Sequence, residues 1–343
     1  MGWKNNMRPC SRVGVNFTWK CNWSCTTCFY RHFPELHKGE HRSKQDVKNE
    51  ILNGKNRGCD HMVAVGQGEP SLYPDMPEIV QYCTSIGMTS SIITNGASGV
   101  DRLDAIYKAG LNHFHVSVHG IGDILNAVSE SPTAAAKQNE FKQYLKDNKI
   151  LWRSNTTLQK INYKALPDII TDIINYEATH IVLLGFLPHY HWINRLQEVA
   201  VSPEQLRPFI ETCCDLMIQA NKYFTIRYHP FCHLNSKYWK YVVNARYVLF
   251  DPWEWDYGSH GKSFEAIYQD SIGMGNSVAI QGAPCNQCKM QLHCGGWNRI
   301  YAAGFNGANL KPILDVPDEY KNVWQNRGGL HDMNPANNLK GYF

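Results

Sequence analysis

Three cysteines fall within eight residues in Cys21-Asn22-Trp23-Ser24-Cys25-Thr26-Thr27-Cys28, a C-x3-C-x2-C spacing. A cubane of iron and sulfide normally takes four thiolates. Three thiolates on one short loop hold three irons and leave the fourth open to the nitrogen and oxygen atoms of a small molecule. The competing occupant is zinc, which would want a fourth ligand such as His32 or His37. The rest of the chain favours metal or catalysis over disulfides for its twelve cysteines. The stretch Met1 to Cys10 is polar and has no apolar region of the secretory type. Asn6 occupies the Ser/Thr position of a myristoylation site. No apolar run reaches the ~18 residues of a membrane span. The expectation is a cytosolic protein that does not use a membrane.

About forty residues after the cysteines comes Val63-Ala64-Val65-Gly66-Gln67-Gly68-Glu69-Pro70, an apolar run ending in G-x-G-E-P. With both motifs in this order, the chain resembles the radical SAM superfamily. There a G-G-E-P motif after the second strand binds the methionine amino group of S-adenosylmethionine. Gly68, Glu69 and Pro70 match it, and Gln67 stands at the first glycine. The resemblance implies that Cys21, Cys25 and Cys28 hold a 4Fe–4S cluster whose open iron chelates the amino and carboxylate groups of S-adenosylmethionine. One electron from the cluster then splits that molecule, and the 5′-deoxyadenosyl radical takes a hydrogen atom from the substrate.

The chain has 343 residues and is 43% hydrophobic, enough for one large domain or a large and a small one. Residues 13–19, 61–66, 89–94, 113–118, 150–158 and 180–186 read as strands. Helical patterns alternate with them at 43–54, around Met76 to Cys83, around Leu103 to Tyr107, and at 134–148, 166–176 and 203–221. Cys83, Cys213 and Cys214 read as packing residues. Six strand–helix units in order imply a parallel sheet with right-handed crossovers. That fits the partial (β/α)6 TIM-like barrel of the resembled family, an α/β fold. The expected division is a barrel over 1–230, a small auxiliary-cluster domain over 231–303, and a C-terminal segment over 304–343 that packs on the barrel or trails from it.

After Tyr223 the pattern changes to a short strand over 225–228, His229-Pro230-Phe231-Cys232, and an aromatic β-like run over 242–256. Cys285, Cys288 and Cys294 then follow at C-x2-C-x5-C spacing. This resembles part of the SPASM or Twitch domain of radical SAM enzymes, and Cys232 is the sensible fourth ligand of an auxiliary 4Fe–4S cluster. Zinc suits the same four thiolates. A cluster on Cys285, Cys288 and Cys294 alone would leave an iron open to substrate.

The resemblance also implies that S-adenosylmethionine lies across the C-terminal ends of the strands. Glu69 would accept from its ammonium, with Gly68 and Pro70 of the same motif as further cofactor-binding residues. Asn95, closing the third strand, is a further cofactor-binding candidate. Ser117 and Asn155 are candidates for its ribose or carboxylate, and Arg153 for its carboxylate. Many relatives carry an aromatic residue before the third cysteine. Thr27 stands there, leaving Phe29 or Tyr30 for the adenine. His119, His189, Tyr190, His191 and Trp192, all just past strand ends, are the substrate-facing set, the first four being acid–base candidates.

The implied substrate is an amino-acid-containing small molecule, conjugate or peptide, with a nucleotide or modified base as the alternative. Only about twenty residues precede the first cysteine motif, leaving no room there for the peptide-binding domain of peptide-modifying relatives. That tilts the expectation toward a small molecule or nucleotide. The net charge of +4 is mild and no basic stripe stands out, which argues against a nucleic-acid-binding module. An iron–sulfur electron carrier would need neither G-E-P nor the βα repeats. An electron donor such as flavodoxin or ferredoxin is the expected partner.

Overall fold

The computed structural model describes residues 12–28, 30–32, 40–56, 58–188, 192–243, 279–291, 294 and 296–318. Strands β1 (Arg12–Asn16), β2 (His61–Val65), β3 (Thr89–Thr94), β4 (His113–Ser117), β5 (Trp152–Leu158), β6 (His180–Gly185), β7 (Tyr223–Arg227) and β8 (Val242–Val243) form one sheet in chain order. Every neighbouring pair is parallel. Helices α1 (Lys44–Asn56), α2 (Met76–Ser85), α3 (Val100–Lys108), α4 (Gly122–Ser129), α5 (Ala134–Asp147), α6 (Leu166–Asn175), α7 (Leu196–Val199) and α8 (Pro203–Gln219) lie between them. The six expected strands are all present. The chain then continues the same sheet with β7 and the short β8, so the open barrel runs past six units.

The outward face of the sheet is apolar for a simple reason. Alternate residues of each strand point to one side, and on that side stand Val13, Val15, Met62, Ala64, Phe114, Val116, Trp152, Ile181, Leu183 and Ile226. They pack in one core with the inner stripes of the helices, including Ile51, Ile79, Ile106, Phe141, Ile173 and Met217. Each such side chain contributes about 1.5–3 kcal/mol when fully buried. Cys83, Cys213 and Cys214 belong to this core, as expected.

The sheet is strongly curled. The charge of Arg12 on β1 reaches His180 on β6. Across a flat sheet, five strand spacings of ~4.8 Å would hold these residues about 24 Å apart.

The helix α4 was not among the expected elements; it begins at Gly122, which adopts φ +50. Just before it, a Cβ on Gly120 would lie 2.7 Å from the Leu125 amide nitrogen.

Beyond the barrel, β9 (Ala279–Ile280) and β10 (Trp297–Asn298) pair antiparallel and lead into α9 (Arg299–Gly304). The Asn298 side chain accepts from the Ile300 and Tyr301 amides to start that helix. Gly296 has φ +80, and a Cβ there would sit 1.9 Å from the Ile280 carbonyl oxygen, so this crossing requires glycine. Trp297 and Tyr301 form a second core with Phe186, Trp192 and Leu196 from the β6–α8 connection. The described part of the C-terminal segment turns back onto the barrel through Ile313 and Val316. Residues 244–278 and 319–343, including most of the β-like run expected over 242–256, lie outside the described residues.

One buried charge in the shell is testable. The Lys142 side chain is 1% exposed and is paired with Asp172, with its ammonium 4.5 Å from the Tyr176 ring centroid. Burial lowers its pKa and Asp172 opposes that. Asp172→Asn should cost about 3 kcal/mol near pH 7 by leaving the ammonium buried and unpaired. A lysine with a lowered folded pKa binds fewer protons folded than unfolded, so stability is regained as pH rises toward its ordinary range. Urea unfolding of both proteins near pH 7 and above about pH 9 checks the sign and the size.

Candidate active site

The cysteine loop follows β1 and is clamped on two sides. On one side it pairs with the end of α4: the Ser24 amide donates to the Ser129 carbonyl at 3.0 Å, and the Thr26 amide donates to Val128 at 2.9 Å. Arg31 reaches both the Ser24 carbonyl and Glu130. On the other side lies the end of β3. Asn22 donates to the Ala97 carbonyl at 3.0 Å and accepts from the Asn95 side chain at 2.7 Å. Trp23 is buried between the two clamps, against Ala97, Leu125, Ala134 and Ala135. The apolar ring anchors the loop, and the thiols are left at its rim.

Cys21, Cys25 and Cys28 are free thiols. Burial pushes the Cys21 and Cys25 thiols up to about 12; charge on Cys28 raises both, and charge on Cys21 also raises Cys25. Such a trio, repelling when ionised, suits a cationic iron cluster that would bind all three. Among the described residues, no three His, Cys, Asp or Glu side chains converge to hold a single metal ion. The side chain of His32 lies outside what is described. His37 lies outside the described residues.

The G-x-G-E-P turn sits directly against this loop. The Glu69 amide donates to the Lys20 carbonyl at 2.8 Å. A Cβ on Gly68 would be 2.2 Å from that same oxygen, so only glycine admits the contact. A Cβ on Gly66 would be 2.0 Å from the Gly68 carbonyl oxygen. Gln67 is tolerated because its backbone is not left-handed. Its amide donates to Asn16 at 3.2 Å and its side chain bonds to Tyr30.

Glu69 is 3% exposed. One oxygen accepts from the Ser71 amide, the Ser71 hydroxyl and the Thr94 hydroxyl at 3.1, 2.6 and 2.6 Å. The other accepts from the Asn95 amide at 2.7 Å. Burial pushes its pKa up and the four donors pull it down, with burial the larger effect. A carboxylate in this state is stabilised by an arriving cation. Pro70 opens the 3-10 turn Pro70–Leu72 for which Glu69 is the cap.

The remaining sequence candidates separate. Ser117 and Asn155 are register partners on adjacent strands, with Ser117 half-buried at the end of β4. Asn95 joins Glu69 to the cysteine loop. Arg153 shares the inward face with Asn155; it is the second residue of β5, so its backbone lies about 16 Å below that of Leu158 at the rise of an extended chain.

His119 accepts at Nδ1 from the Thr157 amide at 3.2 Å, and its carbonyl accepts from Asn162. Burial lowers its pKa to about 4. The ring is neutral with Nδ1 occupied, so it ties β4 to β5 and leaves only Nε2 for other work. Trp192 is buried in the second core. Phe29, His189, Tyr190 and His191 lie outside the described residues.

Sequence reading missed His229. Tyr228 takes φ +58 at the end of β7, and its carbonyl oxygen would be 2.4 Å from a Cβ on Gly185. That close approach turns His229 inward against Trp297, with ring centroids 5.1 Å apart. His229 is 1% exposed, and neither ring nitrogen makes a well-formed hydrogen bond among the described residues. Burial lowers its pKa to about 3, and only the His233 backbone opposes it. The usable signal was a histidine three residues before the isolated Cys232.

The second thiol set is brought together as expected. Cys232, Cys285, Cys288 and Cys294 line one small cavity, with Phe231, Met290, Leu310 and Ile313 among its walls. The Gly296 amide donates to Cys294 Sγ at 3.4 Å and the Ile313 amide to Cys288 Sγ at 3.3 Å. The backbone at Lys311 and at Gly282 does the same for Cys232 and Cys285, partly offsetting the burial that raises both thiols. Four thiols around one cavity, each with a backbone donor, are a set that a 4Fe–4S cluster or a zinc ion could take.

Residues 15–173 match the profile of the Radical SAM superfamily. PqqA peptide cyclase of Methylorubrum populi is 36% identical over 102 residues, 27% of this chain and 27% of that protein. PqqA peptide cyclase of Xanthomonas axonopodis pv. citri is 26% identical over 147 residues, 42% of this chain and 39% of that protein. The matches thus span between about a quarter and two-fifths of those relatives. Among solved structures, SuiB of Streptococcus suis bound to S-adenosylmethionine superposes with a TM-score of 0.60 at 14% identity, over 90% of this chain and 76% of that one. The same protein with its precursor peptide SuiA gives 0.60 at 15% identity, over 91% and 76%. Native anSMEcpe with bound AdoMet and Kp18Cys peptide gives 0.58 at 14% identity, over 96% and 100%. At such identities the likeness is one of fold.

The Gly68 contact yields a direct test. Gly68→Ala forces a methyl against the Lys20 carbonyl and must displace the first cysteine loop, while the second set, held by other segments, should stay intact. After anaerobic reconstitution, iron per chain should fall from about eight to about four. Iron and sulfide assay, with circular dichroism as the control for folding, checks it. Only thiolates bind iron, so uptake by the apoprotein should release protons and strengthen as pH rises from about 7 to about 9. Iron titration at fixed ionic strength reads this out.

Proposed function

A radical SAM domain occupies residues 15–173, and from that premise we propose that the chain is an enzyme that reductively cleaves S-adenosylmethionine and abstracts hydrogen from a peptide. Cys21, Cys25 and Cys28 hold the 4Fe–4S cluster. When bound, that cluster supplies the electron that generates the 5′-deoxyadenosyl radical. The observation that carries this reading is Glu69: a carboxylate whose pKa is raised by burial, held by four donors, and whose charge raises the Cys21 thiol beside it. It receives the ammonium of S-adenosylmethionine. Asn95 fixes Glu69 relative to the cysteine loop, and Gly68 and Pro70 hold the turn. Ser117 and Asn155 present polar groups along the neighbouring strands, and Tyr30 stands in for the missing aromatic at Thr27.

Cys232, Cys285, Cys288 and Cys294 hold an auxiliary 4Fe–4S cluster. Its four backbone donors tune the potential, and a protein of the flavodoxin or ferredoxin kind supplies electrons. His229, buried against Trp297 and without a ring-nitrogen hydrogen bond among the described residues, faces the substrate. His119 keeps the strands around it in register. The peptide class is supported by the relatives, whose names and bound partners are peptides. It replaces the tilt toward a small molecule or nucleotide. An electron carrier is disfavoured because it would have no use for Glu69 or a barrel. No helix among the described residues is long and apolar enough to cross a membrane.

Under anaerobic conditions with a strong reductant, the native chain should form 5′-deoxyadenosine. The triple variant Cys21→Ala/Cys25→Ala/Cys28→Ala should form none and should keep about four irons. Glu69→Gln should keep all of its iron and bind S-adenosylmethionine about 10–100-fold more weakly, as loss of a hydrogen bond to a charged group implies. Failure to form 5′-deoxyadenosine with both clusters in place would overturn the proposal.

A further inference from the structure

The buried face of α5 is formed by Ala134, Ala135, Gln138, Phe141, Lys142 and Leu145. These positions recur at three and four residues, the spacing of one helix face. Gln138 is 0% exposed there. A fully buried amide is costly unless it is hydrogen-bonded. Its Nε2 donates to the Asn95 carbonyl at 2.8 Å and to the Ser117 carbonyl at 3.0 Å. Both protons of one NH2 group are thereby used. Oε1 of the same amide is buried and makes no hydrogen bond among the described residues. The side chain is held in place as a double donor.

The two carbonyls need such a donor, because a buried backbone acceptor must be paired. β3 and β4 last pair at Thr94 and Val116. One residue further on, Asn95 and Ser117 leave this ladder, and Gly96 takes φ +74. A Cβ on Gly96 would lie 2.9 Å from Phe141 Cδ1, so this corner is packed directly on α5. Gln138 bridges the two strands where their own ladder stops. Every polar group of Asn95 is then engaged. Its amide donates to Glu69 at 2.7 Å and its side-chain nitrogen to Asn22 at 2.7 Å. Its Oδ1 accepts from the Ala97 amide at 2.9 Å, and its carbonyl accepts from Gln138. Trp23 of the cysteine loop packs on Ala134 and Ala135, one turn before Gln138. One helix face thus sets the cysteine loop, Asn95 and Ser117 relative to one another.

The geometry points to Gln138 as a positioning residue for the S-adenosylmethionine site. By bridging Asn95 and Ser117 it fixes the Asn95 amide against Glu69 and holds the end of β4 beside it. It acts through these two residues rather than by contact with the cofactor. The assignment rests on the reading that S-adenosylmethionine binds at Glu69.

The test uses the full chain with its iron reconstituted under anaerobic conditions. Equilibrium dialysis with radiolabelled S-adenosylmethionine gives the affinity, and the electron paramagnetic resonance spectrum of the reduced protein reports binding at the cluster. Gln138→Glu keeps the shape and removes the NH2 group. Gln138→Met keeps the length without charge, and serves if Gln138→Glu fails to fold. Both should retain the native iron content and bind S-adenosylmethionine about tenfold or more weakly. The spectral change should then need correspondingly more S-adenosylmethionine. Leu145→Ala, two turns along the same face, is the control. It should lower Tm and leave the affinity within about twofold of native, as a site outside the shared network does. Affinity that neither Gln138 variant alters, or that falls equally in Leu145→Ala, would overturn this assignment alone. No binding to the native holoenzyme would overturn the cofactor reading at Glu69 and this assignment with it.

Discussion

Glu69 is a carboxylate almost wholly removed from water, and its donors come from its own turn and from the end of β3. Asn95, which gives one of those donors, also grips Asn22 beside the first thiol. The backbone of Glu69 is tied to Lys20 at the start of the same loop. Three segments distant in sequence therefore share one hydrogen-bonded knot. A buried carboxylate that lost these donors would carry a large desolvation cost, so they are held together with little freedom. The first cysteine loop inherits its position from this knot and from Trp23, which α4 covers.

The sheet then divides the molecule by chemistry. Its outer face is apolar and locks to the helices. Its inner face carries many polar groups, from Arg12 at the floor to Asn16, Ser117 and Asn155 nearer the mouth, among apolar residues such as Val63, Val65 and Val182. A parallel sheet covered on both sides ordinarily reads as continuous apolar runs. Here β4 reads His-Phe-His-Val-Ser, alternating because one side is packed and the other is polar. Interior hydrogen bonds and charges act at low dielectric and are correspondingly strong. The barrel is therefore organised to hold polar groups, while stability comes from the shell.

The second thiol set is placed by a different device. Gly185 allows β6 to touch the turn after β7, and that turn carries His229, Phe231 and Cys232 toward Trp297. Phe186 and Trp192 from the following connection pack with Trp297 and Tyr301. The auxiliary segment is in this way attached to the ends of β6 and β7, next to the mouth of the barrel.

The sequence by itself determined what is local or periodic. Strand and helix alternation, the two cysteine spacings and the G-x-G-E-P turn were all readable, because each depends on residues within a few positions of one another. Gln67 in place of a glycine was readable as a departure, and only the backbone showed it to be harmless. The tertiary structure alone decided depth and neighbourhood. Arg153 and Asn155 share a face in any strand reading, but which of them stands near the mouth depends on where β5 begins relative to β4 and β6. Gln138 meets Asn95 and Ser117 from a third segment, a junction that no single segment encodes. His229 gained its place only when Gly185, more than forty residues earlier, met the carbonyl of Tyr228. Contacts across strands are set by packing and register rather than by the chain's own periodicity, and the polar interior emerges only once the sheet has curled.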